Sequence, residues 1–268
     1  MDRLRVLTLN IWNRQGPWET RCAAIRKGLV ELAPDLIGLQ EVLHLEGAPR
    51  DQAEELAEGL GYHVVFGGAW EIGGGLHFGN AVLSRFPLGE QKSWRLPGDD
   101  TEEPRSLLRV LAEAPYGIIP FFVTHLDWKL HHAARRLRQV QFVAERVLEA
   151  KGGFPAVLVG DFNAEPSSDE IRYLRGHHVV DGTSVYLTDC FAWVGTGSRE
   201  TFVRRNPFAA EAHEPDRCLD YVFVSGPDRQ RQGEPLVAKI VLDQPVGGAF
   251  PSDHLGIYVE LGVLPQTP

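Results

Sequence analysis

A chain of 268 residues that is 43% hydrophobic has enough apolar side chains for a large buried core, and one domain over 1–268 is expected. Its formal net charge of −9 argues against a general polyanion binder, because nonspecific nucleic-acid affinity comes from Lys and Arg neutralising phosphates. Three dispersed cysteines, Cys22, Cys190 and Cys218, suit neither a disulfide framework nor a thiolate zinc site, and no apolar run is long enough to span a bilayer.

Met1-Asp2-Arg3 leads straight into a first apolar strand, Leu4 to Leu9, with no signal or transit segment before it; a cytoplasmic protein, expected to be a monomer, follows. The strand delivers Asn10, then Ile11, Trp12 and Asn13. Trp18 to Leu32 carries a helical pattern, Asp35 to Gln40 reads as a second strand delivering Glu41, and Asp51 to Leu60 reads as a second helix. Gly67 to Gly75 is a loop by composition, whose Trp70 and Ile72 either meet a substrate or lipid surface or simply connect. Trp94 to Pro104 is a further polar connection punctuated by Pro and Gly.

Phe121 to Thr124 is a third strand of the same design and delivers His125, with Asp127 and Trp128 close behind. His131 to Ala150 is a longer helix with Ala134, Leu137, Val140, Val143, Ala144, Val147 and Leu148 on its apolar side. Its basic set, His131, His132, Arg135, Arg136 and Arg138, reads as a solvated face rather than a phosphate track. Trp12 and Trp128 each follow a strand end, where they can wall a pocket or take part in ordinary packing.

Ala156 to Val159 then runs into Gly160-Asp161-Phe162-Asn163. Asp161 can orient or deprotonate a water, and Asn163, able to donate and accept, can hold an oxygen under attack. Alone, Asp-x-Asn fits an Asx turn or a helix cap equally well. Arg204 to Asp216 is another connection. Leu219 to Val224 is a strand with Asp220 at its start, where burial is costly without a partner. Ser252-Asp253-His254 opens the last strand, Leu255 to Val259, and Asp220 is a natural partner for His254, fixing its tautomer and holding the imidazolium toward a ligand. Polar residues repeated at successive strand ends point to one shared site.

In this order the pieces resemble the endonuclease/exonuclease/phosphatase superfamily, which includes DNase I, exonuclease III, neutral sphingomyelinases and inositol polyphosphate 5-phosphatases. They are the strand ending at Asn10, Leu39-Gln40-Glu41-Val42, Gly79 to Pro87, Thr124-His125-Leu126, Gly160 to Asn163, Leu219-Asp220-Tyr221 and Ser252-Asp253-His254, which together cover nearly the whole chain. The resemblance implies a four-layer α/β/β/α sandwich of two packed mixed sheets with outer helices, and a cleft formed by loops at one end of both sheets. It also implies hydrolysis of a phosphate ester by an activated water with Mg²⁺ or Mn²⁺, hard cations suited to oxygen and amide ligands.

On that resemblance Glu41 binds the metal, with Asn10 nearby and Asp253 assisting. Asp161 activates the water, Asn163 binds the phosphate, and His125 and the Asp220–His254 pair stabilise nonbridging oxygens. Asp127 takes no role, since related enzymes vary there. DNase I pairs its first histidine with a glutamate, and His125 has no convincing counterpart partner in this sequence. The expected substrate is a small or lipid-linked phosphate ester, with DNA or RNA as the alternative. A noncatalytic binding module retaining the fold is disfavoured by the full polar set. Fold analogy alone does not choose a substrate.

Overall fold

The computed structural model describes residues 2–99 and 103–264. Met1 and residues 100–102 of the expected Trp94–Pro104 connection lie outside them. The first half runs β1 (Asp2–Asn10), α1 (Trp18–Leu32), β2 (Leu36–Leu45), α2 (Gln52–Ala57), β3 (His63–Gly73), β4 (Leu76–Ser84) and β5 (Leu88–Arg95). The middle runs β6 (Ser106–Ala114), β7 (Gly117–His125), α3 (Ala133–Glu149), β8 (Val157–Asp161) and α4 (Asp169–Leu174). The remainder is β9 (Thr188–Asp189), α5 (Cys190–Val194), α6 (Pro207–Ala210), β10 (Asp220–Val224), β11 (Pro235–Val241) and β12 (Gly256–Val263).

The strands form two sheets of six, ordered β11-β12-β1-β2-β4-β3 and β5-β6-β7-β8-β10-β9. β1 and β2 are parallel, joined over α1, and β7 and β8 are parallel, joined over α3; the other neighbours run antiparallel. Both sheets therefore have the same pattern, with a parallel pair at the centre. Val6, Val82, Val123, Val159 and Ile257 belong to the core between the sheets. Leu7, Leu9, Ile25 and Leu29 pack α1 on one outer face, while Leu158, Phe162, Val140 and Val143 pack α3 on the other. This is the four-layer α/β/β/α sandwich that the resemblance implies.

Central strands buried on both faces read as continuous apolar runs, which is why the polar residue ending each run stands out. Where a strand end must crowd its neighbour, glycine is required: a Cβ on Gly160 would sit 2.0 Å from the Thr124 carbonyl oxygen, so only glycine lets β8 lie against β7 just before Asp161.

Gly67 to Gly75 is not a loop. Its first seven residues belong to β3, paired with β4 from Gly67↔Asn80 to Gly73↔Leu76, and the turn is confined to Gly74 and Gly75. The glycines that suggest a loop permit close pairing, since a Cβ on Gly79 would meet the Gly67 carbonyl oxygen at 2.2 Å. The second helix spans only Gln52–Ala57, started by an Asp51/Glu54 capping box. Arg204 to Asp216 includes the short α6, opened by Asn206 accepting from the Phe208 amide.

The long helix is rotated relative to its apolar pattern. Arg135, Arg136 and Gln139 are buried with Val140, Val143, Ala144 and Val147, whereas Ala134 and Leu148 are exposed. The supposed solvated face thus loses two of its arginines to the interior, where Arg135 binds Asp127 at 2.9 Å and Arg136 binds Glu170 at 2.9 Å. A buried guanidinium is tolerable when its donors are satisfied, as those of Arg136 are by Glu170 and main-chain carbonyls.

Candidate active site

The C-terminal ends of β1, β7 and β8, with the bulge in the middle of β2, open into a cavity of about 560 Å³. Asn10, Trp12, Glu41, His125, Trp128, Asp161, Asn163, Asp253 and His254 line it, and Asp220 lies fully buried behind His254. The residues given a role in the expected site therefore meet at one place.

Asn10 joins the two sheets. A single side-chain nitrogen donates to Asp161 Oδ2 at 3.0 Å and reaches Glu41 Oε1 at 3.2 Å, while Asn10 Oδ1 accepts from the Trp12 amide. Asn13 donates to the other oxygen, Glu41 Oε2, at 3.0 Å. Glu41 reaches this position because β2 shifts register between Leu39 and Val42 and the residue takes φ 60. On the opposite side Asp161 Oδ1 accepts from the Asn163 amide at 2.9 Å, and Asn163 stands at φ 49 with its amide nitrogen donating to the Leu126 carbonyl. Left-handed conformations at both Glu41 and Asn163 are backbone strain held in place by the site's hydrogen bonds.

The two histidines are held differently. His254 Nδ1 lies 2.8 Å from Asp220 Oδ2, and its Nε2 lies 3.7 Å from Asp161 Oδ2. Burial disfavours charge on this ring, but Asp220, Asp161 and Asp253 together outweigh it and hold the imidazolium well above its ordinary pKa. The main-chain amides of Leu219 and Asp220 donate to Thr201 Oγ1, fixing the aspartate, and its second oxygen has no hydrogen-bond partner among the described residues.

His125 meets a cation instead. Arg105 Nη1 is 3.0 Å from His125 Nδ1, and because a guanidinium can only donate, Nδ1 is the acceptor and Nε2 carries the ring proton. That Nε2 lies 3.5 Å from Asp161 Oδ2. Burial, then Arg105 and His254, push the His125 pKa well below its usual value, so the ring is a neutral donor. Arg105 is thus the Nδ1 partner of His125, where the sequence had offered none.

Three of the carboxylates lining the cavity, Glu41, Asp161 and Asp253, have raised pKa values. Burial raises Asp161 to about 6, with His254 opposing and Asp220 reinforcing the rise. Burial likewise raises Asp253 to about 6, with His254 opposing and Glu41 reinforcing, and it raises Glu41. In all three, loss of hydration is the largest cause of the rise, and the neighbouring cations oppose it. Asp161, Asp220 and His254 bring potential ligand atoms within 4.8 Å of one another. The His254 nitrogen facing Asp220 is already spent in a hydrogen bond, however, so Glu41, with both oxygens oriented by amides, is the better-prepared hard-cation ligand. Asn10, Glu41 and Asp253 thus fit a divalent ion by donor type, two carboxylates and a carboxamide at one side of the cavity.

Asp127 sits apart, accepting from the Lys129 amide at 2.9 Å and paired with Arg135 and His132. It does not line the cavity. Sequence reading missed Arg105, the role of Asn13, and the wall residues Phe78, Glu103, Phe202, Glu214 and Arg217. A signal for Arg105 existed: it is a lone cation just before an apolar strand, the mirror image of a polar residue just after one. β6 runs antiparallel to β7, so the start of β6 lies beside His125.

A sandwich whose paired sheets converge on carboxylates, carboxamides and histidines at shared strand ends defines a class of phosphoester-processing scaffolds. The chain belongs to the Endonuclease/Exonuclease/phosphatase family, whose model matches residues 7–254. An endonuclease/exonuclease/phosphatase from Beutenbergia cavernae is similar in structure, at 27% identity and TM-score 0.74, covering 97% of this chain and 72% of that one. TDP2 from D. rerio, complexed with a single-strand DNA product, aligns over 98% of this chain and 100% of its own at TM-score 0.76 and 17% identity, a likeness of fold. The Escherichia coli K12 protein named "Uncharacterized protein YbhP" is 29% identical over 171 residues, 59% of this chain. The match spans 66% of that curated relative's length.

Proposed function

We propose that this protein is a divalent-metal-dependent hydrolase of phosphate esters acting on a small or lipid-linked substrate. The observation that carries the reading is the Asn10 nitrogen shared between Glu41 and Asp161, which couples a cation-holding half to a water-activating half. Glu41, with Asn10 and Asp253, holds Mg²⁺ or Mn²⁺, which when bound supplies charge neutralisation at the phosphoryl oxygens.

Asp161 orients the attacking water and accepts its proton; with a pKa near 6 it is ionised at neutral pH yet remains a usable base. Asn163 holds a phosphoryl oxygen. His125 donates from Nε2, and His254, kept cationic by Asp220, donates from the other side, so the negative charge developing on nonbridging oxygens meets one neutral and one charged donor. Trp12 and the exposed Trp128 wall the entrance.

The preference for a small or lipid-linked ester rests on the rim. Arg105 is engaged by Glu103, and Arg217 by Glu165 and Glu214, so the cations beside the cavity are offset by carboxylates rather than left for a polyanion. The second reading is a single-stranded nucleic-acid end, favoured by Trp128, which is 54% exposed at the mouth and suited to stacking on a base. The single-strand DNA product bound to D. rerio TDP2 gives that reading a precedent on the same fold.

Purified protein with Mg²⁺ or Mn²⁺ should hydrolyse bis(p-nitrophenyl) phosphate and one or more phospholipid or sugar-phosphate esters faster than single-stranded DNA or RNA. Faster cleavage of single-stranded ends establishes the second reading, and no hydrolysis of any ester overturns both.

A further inference from the structure

The two halves of the molecule carry an equivalent arginine. Arg21 is the fourth residue of α1 and lies eleven residues after Asn10; Arg136 is the fourth residue of α3 and lies eleven residues after His125. Each helix follows a strand whose last residue enters the cavity, and each arginine is buried beneath the intervening loop.

Their donors do the same work. Arg21 has no exposure and donates to the carbonyls of Ile11 at 2.7 Å, Trp12 at 3.2 Å, Asn13 at 2.8 Å and Gln15 at 2.8 Å, and to Pro251 at 3.1 Å. Arg136 donates to the carbonyls of Lys129 at 2.7 Å, Asp127 at 3.2 Å and Leu130 at 3.4 Å, and to Glu170 at 2.9 Å. A guanidinium's planar fork is the one side chain with enough donors to gather several main-chain oxygens at once, which a lysine ammonium cannot reproduce.

The loops so gathered serve different ends. Under Arg21, Trp12 and Asn13 both take left-handed conformations, φ 54 and φ 36, which converge their carbonyls on the guanidinium and aim Asn13 at Glu41 Oε2. Through Pro251 the same arginine reaches the turn carrying Asp253, and Ser252 Oγ there donates to the Asn10 carbonyl at 2.6 Å. Under Arg136, the carbonyls of Asp127, Lys129 and Leu130 are fixed on either side of Trp128, and Glu170 ties them to α4, which follows the Asp161–Asn163 turn.

We propose that Arg21 and Arg136 are equivalent positioning residues with divided tasks: Arg21 sets the cation-holding group Asn10, Asn13, Glu41 and Asp253, and Arg136 sets the substrate-facing wall around Trp128. The division rests on the metal-dependent reading above. It makes the two sites of substitution separable, which simple stabilisation of the fold does not.

The test compares Arg21→Lys with Arg136→Lys, using Mn²⁺ binding followed by electron spin resonance, amide hydrogen exchange, and steady-state hydrolysis. Arg21→Lys should raise the Mn²⁺ dissociation constant roughly tenfold, the scale for losing a group that orients metal ligands, with turnover recovered at saturating Mn²⁺. It should speed exchange in residues 11–16 and leave 126–132 protected. Arg136→Lys should bind Mn²⁺ within about twofold of wild type, the converse of that roughly tenfold loss, raise KM several-fold with little change in kcat, and speed exchange in 126–132 alone.

Equal defects in both readouts, scaling with each variant's loss of Tm, overturn the proposal. Wild-type protein that binds no Mn²⁺ sinks the functional reading and the metal task with it, while loop-specific exchange still decides whether each arginine positions its own loop. If Arg21→Lys does not fold, Asn13→Ala keeps the arginine and removes its link to Glu41; unchanged Mn²⁺ affinity in that variant overturns the metal task.

Discussion

The β1-α1-β2 and β7-α3-β8 halves share one frame but place their chemistry one residue apart. Asn10 pairs in register with Gln40, and His125 pairs in register with Asp161. In one half the amide of Ile11 donates to the Gln40 carbonyl, and in the other the amide of Leu126 donates to the Asp161 carbonyl. The first half thus puts a buried carboxamide where the second puts its carboxylate, and displaces Glu41 outward on a bulge. An offset of one residue on a common backbone is enough to separate a carboxylate fit to hold a cation from one fit to face a water.

The comparison is broken most directly at Asp161. Asp161→Asn keeps the size and shape of the side chain but removes the base and one of its two acceptor oxygens, and turnover should fall by roughly 10²–10⁴, with Mn²⁺ binding retained. Near-normal turnover places the base elsewhere. Asp127 is not its replacement, because Arg135 and His132 already occupy it.

A smaller effect sharpens the difference between the two histidines. Asp220→Ala and His254→Ala should be strongly non-additive, with a coupling of roughly 0.5–3 kcal/mol in the activation free energy, because either change removes the same charged donor. Arg105→Ala and His125→Ala should couple as well, and because Arg105 is one cause of the lowered His125 pKa, Arg105→Ala should move the ring's titration to higher pH. Additive losses in the first cycle show that Asp220 acts independently of the ring.

These predictions rest on features that were legible in the chain to different degrees. Asn10, His125 and Asp161 stood out because each ends an apolar strand and Asp220 because it begins one, whereas the end expected at Gln40 is a bulge, and β2 continues past Glu41 to Leu45. Arg136 was misread because periodicity counts arginine as polar and exposed, while its burial depends on the carbonyls of residues 127, 129 and 130, which only the folded loop gathers. Gly67 to Gly75 was misread because glycine marks both turns and close strand pairing. β5 is largely exposed at a sheet edge and has no core-facing alternation to reveal it. The matched eleven-residue spacing was present in the sequence, yet it connects single residues and leaves no detectable repeat.

The smallest expected effect is on stability. Asp161 and Asp253 have folded pKa values of about 6, raised above the ordinary 3.8, so the folded metal-free state holds their protons more tightly than the unfolded chain does. Their contribution is fully present below the ordinary value and is lost as pH rises through about 6. In EDTA, Tm should therefore decline between about pH 4 and pH 6.5, the decline should be smaller in Asp161→Asn, and Mn²⁺ should offset it. A Tm that rises through this window without metal contradicts the raised pKa values of the buried carboxylates.

The most direct test of a cation-holding half coupled to a water-activating half is hydrolysis of bis(p-nitrophenyl) phosphate by wild type and Glu41→Gln across a Mg²⁺ and Mn²⁺ titration begun from EDTA-treated protein. The account predicts no turnover in EDTA, recovery on adding either ion to wild type, and recovery in Glu41→Gln only at much higher ion concentration, if at all. Turnover that survives EDTA, or a Glu41→Gln titration that overlays wild type, would contradict it.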